Sequence, residues 1–414
     1  MIKIFLVCGW LIKPAVIFFS MGRYHSYINT SLKILQSYNG EMPFSIFIKQ
    51  FFSKEKKYGS KDRKQIAALC YSYFRVGLAL KKELTEKNII KAFFISTHEP
   101  SALIQALQPE WDNGITNPIE DKMAMAGLSF EDIFPFTGEL NDVADTDAFC
   151  QSFLTQPGLF IRIRPNKNVV VEKIKAAGVE YSSLNNDNTV QFTSGTNIEN
   201  IVAIDKEVVI QDYNSQQVFN YITANNFSSN KKEITVWDCC AASGGKSILI
   251  YDLLNEKIKL TVSDIRQSII ANLQQRFKNA GIKNYHHFIA DISDDTKTSP
   301  ASNYDIIICD APCTGSGTWS RTPEQLYFFD TSSIEKFSTL QKKIAVNALP
   351  HLNNDGLFFY ITCSVFKKEN EEVVDYISKQ PGMELLEMKN LFGYEIKADS
   401  MFVAVFRKVS HKAH

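Results

Sequence analysis

The chain reads as an α/β protein whose C-terminal half, from about residue 205, is a mostly parallel, doubly wound sheet with helices on both faces. Three observations predict this. Short apolar runs, "ITVWDCC", "KLTVSD", "YHHFIAD", "YDIIICD", "GLFFYITCS" and "MFVAVFRK", alternate with helix-like stretches. Several runs close on an acidic or thiol residue: Asp238, Asp264, Asp291, Asp310 and Cys363. The N-terminal third instead repeats apolar residues at helical spacing. In a parallel sheet ligands bind beyond the carboxyl ends of the strands, so these five side chains are expected to converge on one crevice.

Four segments follow in order. Residues 1–20 are apolar but interrupted by Lys13 and Pro14. That run is too broken to span a bilayer and lacks a small-residue cleavage site, so it reads as a dispensable extension or a misassigned start. Residues 21–148 read as helices, with apolar positions three and four apart in "SYINTSLKILQSY", "FSIFIKQFF" and "RKQIAALCYSYFRVGLAL". The turn Gly59-Ser60-Lys61-Asp62 is expected to cap the last of these. Residues 149–204 form a small α/β segment. Within it "GLFIRIRPNK" and "TVQF" alternate like strands, and "VVVEKIKAAG" is a helix ending at Gly178. Residues 205–414 carry the large sheet.

Bulk composition excludes little. With 414 residues, 45% of them hydrophobic, the chain has material for more than one core. Lys plus Arg equals Asp plus Glu at 45 each, so any nucleic-acid face must be local. Lys49, Lys54, Lys56, Lys57, Lys61, Arg63 and Lys64 are such a cluster, although the ordinary meaning of a charge run is a solvated helix face. Arg162, Arg164 and Lys167 put a second group of cations on or beside the first strand of the small segment. That segment can support RNA or act as a spacer. The eight cysteines form no C-x-x-C pair and no metal-ligand framework. Reduced thiols, a cytoplasmic location and no metal are expected.

The chemistry lies in four motifs. In Cys240-Ala241-Ala242-Ser243-Gly244-Gly245-Lys246, which follows Asp238, small residues let a ligand approach the backbone at a helix start. A P-loop imitates this pattern but opens on a glycine where Cys240 stands, which ranks an NTPase low. Asp264 follows about twenty residues later, where an acid can accept from ribose hydroxyls. Asp291 can meet an adenine edge. Singly each acid is more often a cap, but together they point to an adenosine-containing cofactor. Asp310-Ala311-Pro312-Cys313-Thr314-Gly315 and Thr362-Cys363-Ser364, with Glu369-Asn370-Glu371 after it, complete the set. A lone strand-end cysteine is usually a small buried hydrophobe; two in one sheet are not so easily dismissed.

These motifs resemble those of the RsmB/Nop/NSUN family of RNA 5-methylcytosine methyltransferases. "DCCAASGGKS", "DAPCTGSG", "TWSRTPE" and "YITCSVFKKENEE" match its signatures in order, Gln211-Asp212 matches its Gln-Asp element, and "GSKDRKQIAALCYSYFR" resembles the NusB-like domain of the RsmB branch. The resemblance implies a Rossmann-like class I domain with a mostly parallel seven-stranded sheet, preceded by a NusB-like helical domain and a small RRM-like segment. It implies S-adenosyl-L-methionine as cofactor, held by Cys240 to Lys246, Asp264, Asp291 and Asp310. It implies RNA as partner, ribosomal first and transfer RNA second, with no membrane and a monomeric chain. Cys363 then attacks cytosine C6, Cys313 assists release, and Asp310 bonds the target ring, best protonated if it meets N3, or orients the cofactor. Two departures stand out: Ser243 replaces a usual proline, which should loosen the turn, and Ile269 replaces a common arginine, which should remove an ion pair. A DNA cytosine methyltransferase attacking through Cys313, and a non-catalytic RNA-binding factor, are the lower-ranked alternatives.

Overall fold

The computed structural model describes residues 14–141, 144–164, 167–184, 188–225, 233–255, 257–294, 300 and 302–409, with side chains from residue 21 onward. The chain divides into two compact units. The first holds the described residues up to Pro135, together with Phe153–Thr155 and Thr322–Phe328; the second holds Phe136–Ser152, Gln156–Arg321 and the described residues from Phe329 on.

The first unit is helical, led by α1 (Pro14–Ser37), α2 (Phe44–Lys54), α3 (Ser60–Arg75) and α4 (Glu86–Ser96). Helix α1 continues through the expected junction at residues 20 and 21; residues 1–13 lie outside the described residues. The Gly59 N–H donates to the Asp62 carboxylate at 3.0 Å, which starts α3 where the turn residues predicted. The apolar run of α3 extends to Leu80 in the sequence, yet the helix stops at Arg75. Gly77 has φ +56°, and a Cβ there would lie 2.5 Å from the Ile133 carbonyl oxygen. The backbone therefore turns to pass Ile133, and only glycine fits. An aromatic cluster of Tyr38, Phe44, Phe74 and Phe328 fills this unit, with ring centroids 4.9–5.7 Å apart for Tyr38–Phe44, Phe44–Phe74, Tyr38–Phe74 and Tyr38–Phe328. Phe328 and Glu324 come from the segment after "TWSRT", and Glu324 accepts the Phe44 N–H at the head of α2.

The second unit contains two sheets. The smaller is antiparallel, ordered β2 (Ser182–Leu184), β3 (Thr189–Phe192), β1 (Leu159–Ile163), β4 (Val208–Ile210). Helix α5 (Lys167–Ala176) lays Val170 and Ile174 against Ile161, Ile163, Val190 and Val208. The strand–helix–strand reading of this segment reappears here, and β4 adds a fourth strand beyond residue 204, followed by the short helix α6 (Tyr213–Gln217).

The larger sheet has seven strands in the order β10-β11-β9-β8-β5-β6-β7. These are β5 (Ile234–Asp238), β6 (Ile258–Asp264), β7 (Tyr285–Ile289), β8 (Tyr304–Asp310), β9 (Leu352–Thr362), β10 (Met383–Leu391) and β11 (Met401–Lys408). Strands β5 to β9 pair in parallel, and β11 is antiparallel to both β9 and β10. Side-chain alternation splits the apolar residues between two faces. Val236, Leu260, Ile306 and Phe359 face one core, which α7 (Gly245–Leu253) and α8 (Gln267–Ala280) close. Trp237, Ile307, Phe358 and Tyr360 face the other, closed by α9 (Ser332–Ala348) and α10 (Glu371–Ser378). Burial on both faces explains why the runs read as continuously apolar. Strand β10 is absent from the sequence-based expectation. Its composition, "MELLEMKNL", favours helix, and it becomes a strand by pairing with β11 at the sheet edge.

Arg162 and Arg164 are buried, not displayed to a partner. Arg162 donates to Asp252 at 2.7 Å; Arg164 grips the same carboxylate at 2.8 Å and caps the carbonyls of Asp205 and Ala280. These side chains clasp the small sheet to α7. An arginine on a strand reads as exposed charge until a distant acid is placed against it.

Candidate active site

Strand β5 delivers Asp238, and the chain then turns through Cys239–Gly244 into α7. Two residues of the turn have positive φ, Ala242 at 45° and Gly244 at 81°. A Cβ at Gly244 would meet the Phe277 ring at 2.7 Å, so the glycine allows α7 to start hard against α8. The Ala241 N–H bonds the Ser263 carbonyl, and the Ala242 N–H bonds the Asp264 carboxylate at 3.1 Å. Ser243, expected to loosen the turn, is braced: its carbonyl and hydroxyl both accept from Arg276 at 3.0 Å, and Arg276 in turn grips Asp205.

A cavity of about 510 Å³ opens at these strand ends. Cys240, Ala242, Asp264, Asp291 and Asp310 line it, with Ile265, Ile292, Leu340 and Ile344 as apolar walls. Asp264 also accepts from the Arg266 backbone and pairs with its side chain at 3.2 Å. Asp291 accepts from the Ser293 N–H and hydroxyl at 3.0 and 2.6 Å. Ala241, Ser243, Gly244 and Gly245 shape the turn behind the cavity rather than its wall.

Lys246 leaves α7 toward β8 and meets Asp310 at 2.6 Å. Burial opposes its charge, but Asp310, then Cys363 and Asp238, outweigh burial and hold the ammonium above the ordinary lysine value.

The two sulfurs meet. Cys313, in the loop after β8, and Cys363, immediately after β9, lie 3.4 Å apart, Sγ to Sγ, both half-buried. The neighbouring Cys363, with burial next, pushes the Cys313 thiol well above the usual cysteine value. Gly317 closes the gap between their loops. Its N–H bonds the Cys363 carbonyl at 2.9 Å, and a Cβ on it would stand 2.2 Å from the Ser400 carbonyl oxygen.

The Gln-Asp element lies behind this centre. Asp212 and Asp399 both bond Arg321 at 3.2 Å, and Asp212 also accepts the Asp399 N–H. Burial first, then Asp399, push the Asp212 carboxyl up to about 7. Sequence reasoning named "TWSRTPE" only as a motif; Arg321 tying two distant acids together needed the fold.

Residues 227–409 match the family described as "16S rRNA methyltransferase RsmB/F". This part of the chain is similar to the RsmB/F methyltransferases. The match spans all seven strands of the large sheet, both sulfurs and the cavity. Among curated relatives of the RsmB/F domain, "Probable ribosomal RNA small subunit methyltransferase B" of Bacillus subtilis is 26% identical over 243 residues, covering 58% of this chain and 53% of the relative. The "28S rRNA (cytosine-C(5))-methyltransferase" of Mus musculus is 28% identical over 168 residues, covering 39% of this chain and 20% of the relative. The chain thus spans about half or less of the curated relatives it matches. Solved structures share the fold. PH0851 aligns with a TM-score of 0.67 at 18% identity over 94% of this chain and 99% of that one. NSun6 from Pyrococcus horikoshii, solved with SFG, aligns with a TM-score of 0.56 at 16% identity over 68% and 97%.

Proposed function

We propose that this protein methylates carbon 5 of cytosine in RNA, small-subunit ribosomal RNA before transfer RNA, using S-adenosyl-L-methionine. The observation that carries the reading is the pair of sulfurs, Cys313 and Cys363, 3.4 Å apart at the ends of adjacent parallel strands beside the Lys246–Asp310 pair. The relatives named above supply the RNA and the cytosine.

The cavity suits the cofactor. Asp264 has acceptor oxygens for ribose hydroxyls, Asp291 for an adenine amine, and the isoleucine walls suit a flat purine. When bound there, S-adenosyl-L-methionine supplies an electrophilic methyl group. Cytosine C5 is a poor nucleophile until C6 carries a sulfur substituent. Cys363 supplies that sulfur, with the Lys246 ammonium as its neighbouring cation. Asp310, paired with Lys246, orients the target ring or the cofactor. After transfer, a base takes the C5 proton, the C5–H electrons restore the C5–C6 double bond, and Cys363 leaves as the thiolate; Cys313, in contact with the leaving sulfur, assists that release. The target base has to leave its stack to reach both thiols, which favours loops and single strands.

The helical unit, taken as the NusB-like domain, offers phosphate contacts through Lys49, Lys54, Lys56, Lys57, Lys61 and Lys64, all exposed. Among the described residues no helix is long and apolar enough to cross a membrane, and all seven cysteines are free. Free thiols support the reading of a cytoplasmic enzyme, here taken as a monomer.

Two variants test the chemistry. Cys363→Ala abolishes turnover and every covalent RNA adduct. Cys313→Ala still attacks and accumulates a protein–RNA adduct that survives denaturation. Loss of all adducts in Cys313→Ala would reverse the two roles. Bisulfite sequencing of total RNA from a deletion strain identifies the cytosine, and a strain that loses no 5-methylcytosine sinks the reading.

A further inference from the structure

Glu369 is fully buried, yet it sits between the loops that carry the two sulfurs. Its carboxylate accepts four hydrogen bonds. Oε1 takes the Thr314 N–H at 2.9 Å and the Gln341 amide at 3.0 Å; Oε2 takes the Thr314 and Ser364 hydroxyls, each at 2.5 Å. Thr314 follows Cys313 and Ser364 follows Cys363. The Gln341 amide is shared with the Pro312 carbonyl at 3.0 Å, so the residues on both sides of Cys313 reach this one acid.

The two loops do not depend on it equally. Cys363 directly follows Thr362, which is in register with Phe402 of β11. The Cys363 carbonyl is bonded by Gly317, and the Ser364 carbonyl by Asn370, at 2.9 and 2.8 Å. The end of β9, with Asn370 and Gly317, therefore holds Cys363. Cys313 lies beyond the end of β8, where the last ladder-like bond is from the Ala311 N–H to the Ile361 carbonyl. From Pro312 to Thr314 the loop is anchored through Gln341, Glu369 and the Trp319 indole, which donates to the Thr314 carbonyl at 3.3 Å, and only from Ser316 and Gly317 on does it bond Val365, Cys363 and Ser400.

We infer that Glu369 is the positioning residue that sets Cys313 against Cys363, and that it acts on adduct release more than on attack. This rests on the methylation reading above. Removing the carboxylate leaves Cys363 in place to form the C6 adduct, while Cys313 drifts from the bond that has to break. The missing function is then a partial copy of the Cys313→Ala defect, not a general loss of activity.

The test compares the parent, Cys313→Ala, Glu369→Ala and Glu369→Gln on total RNA from a strain lacking the gene, with isotopically labelled S-adenosyl-L-methionine. It reads methylated product, denaturation-resistant adduct and cofactor binding. Glu369→Ala should raise the adduct-to-product ratio roughly tenfold, the scale set by losing a charge-assisted hydrogen bond, with cofactor binding unchanged. Glu369→Gln should fall between it and the parent, because the two hydroxyls can turn and donate or accept. Should Glu369→Ala fail to show a cooperative melt, Thr314→Val, which removes one of the four bonds, should move the ratio in the same direction. A parent-like ratio in a folded variant, even with both yields reduced, overturns the inference and leaves a structural acid. If parent and Cys313→Ala give neither product nor adduct, the methylation reading fails and this inference with it.

Discussion

Asp238 ends β5 with its side chain fully buried. One oxygen accepts the Ser247 hydroxyl at 2.6 Å, and the other has no partner among the described residues. Burial, against the Ser247 bond and with Asp310 nearby, pushes this carboxyl up to about 7. An unfolded aspartate titrates near ~3.9. Between those values the folded protein keeps a proton that the unfolded chain has lost, so stability is full below the lower value and declines as pH rises to the upper one. Asp238→Asn lacks that decline. Its stability relative to the parent should improve by on the order of 2–4 kcal/mol between pH 4 and pH 8. Urea unfolding at several pH values measures it; a gap that stays constant would mean Asp238 is charged throughout. The sequence marked Asp238 as a strand-end acid of a ligand crevice, but not that it sits beneath the turn. Burial is a property of what packs around a residue, and α7 supplies it.

At the scale of elements, the clasp of Arg162 and Arg164 on Asp252 decides how the small sheet is held. All three side chains are largely withdrawn from water, with 5–12% of each exposed. Removing one partner from such a group leaves charge buried without compensation. Asp252→Asn should therefore cost ~3–5 kcal/mol in chemical denaturation, while the salt dependence of RNA binding stays as in the parent. A loss below ~1 kcal/mol would show that the clasp is no better than a surface pair. The strand itself was legible from the alternation in "LFIRI". Its arginines were not, because their acid lies far along the chain on the first helix of the large sheet.

For the molecule as a whole, equal numbers of acidic and basic residues mean that, on the proposed function, RNA affinity has to come from local charge. The exposed lysines on and around α2 and the start of α3 are the densest such patch named by the sequence, whereas Arg63 there is half-buried and donates to the Tyr58 carbonyl. Combined Lys54→Glu, Lys61→Glu and Lys64→Glu should weaken RNA binding and flatten the slope of log affinity against log salt by ~0.7 for each phosphate no longer neutralised. Cofactor binding should not move. An unchanged slope would make these lysines a solvated face and shift the search for phosphate-binding groups elsewhere.

The sequence by itself determined the parallel sheet, the turn at Cys240–Lys246, and the acids and thiols at strand ends. Each of these is a local signal: apolar runs of strand length, small residues where a backbone must bend, a chemical group at the end of a run. It also determined the order of the motifs, and so the family resemblance. Tertiary structure alone decided that β10 is a strand, that Gly77 ends α3, and that Arg162 and Arg164 turn inward. It alone brought Cys313 within 3.4 Å of Cys363, and Glu369 between their loops. Those contacts join residues that share no local pattern. They exist because β8 and β9 are neighbours in the sheet, and strand order is set by how whole helices and strands pack rather than by any one stretch of chain.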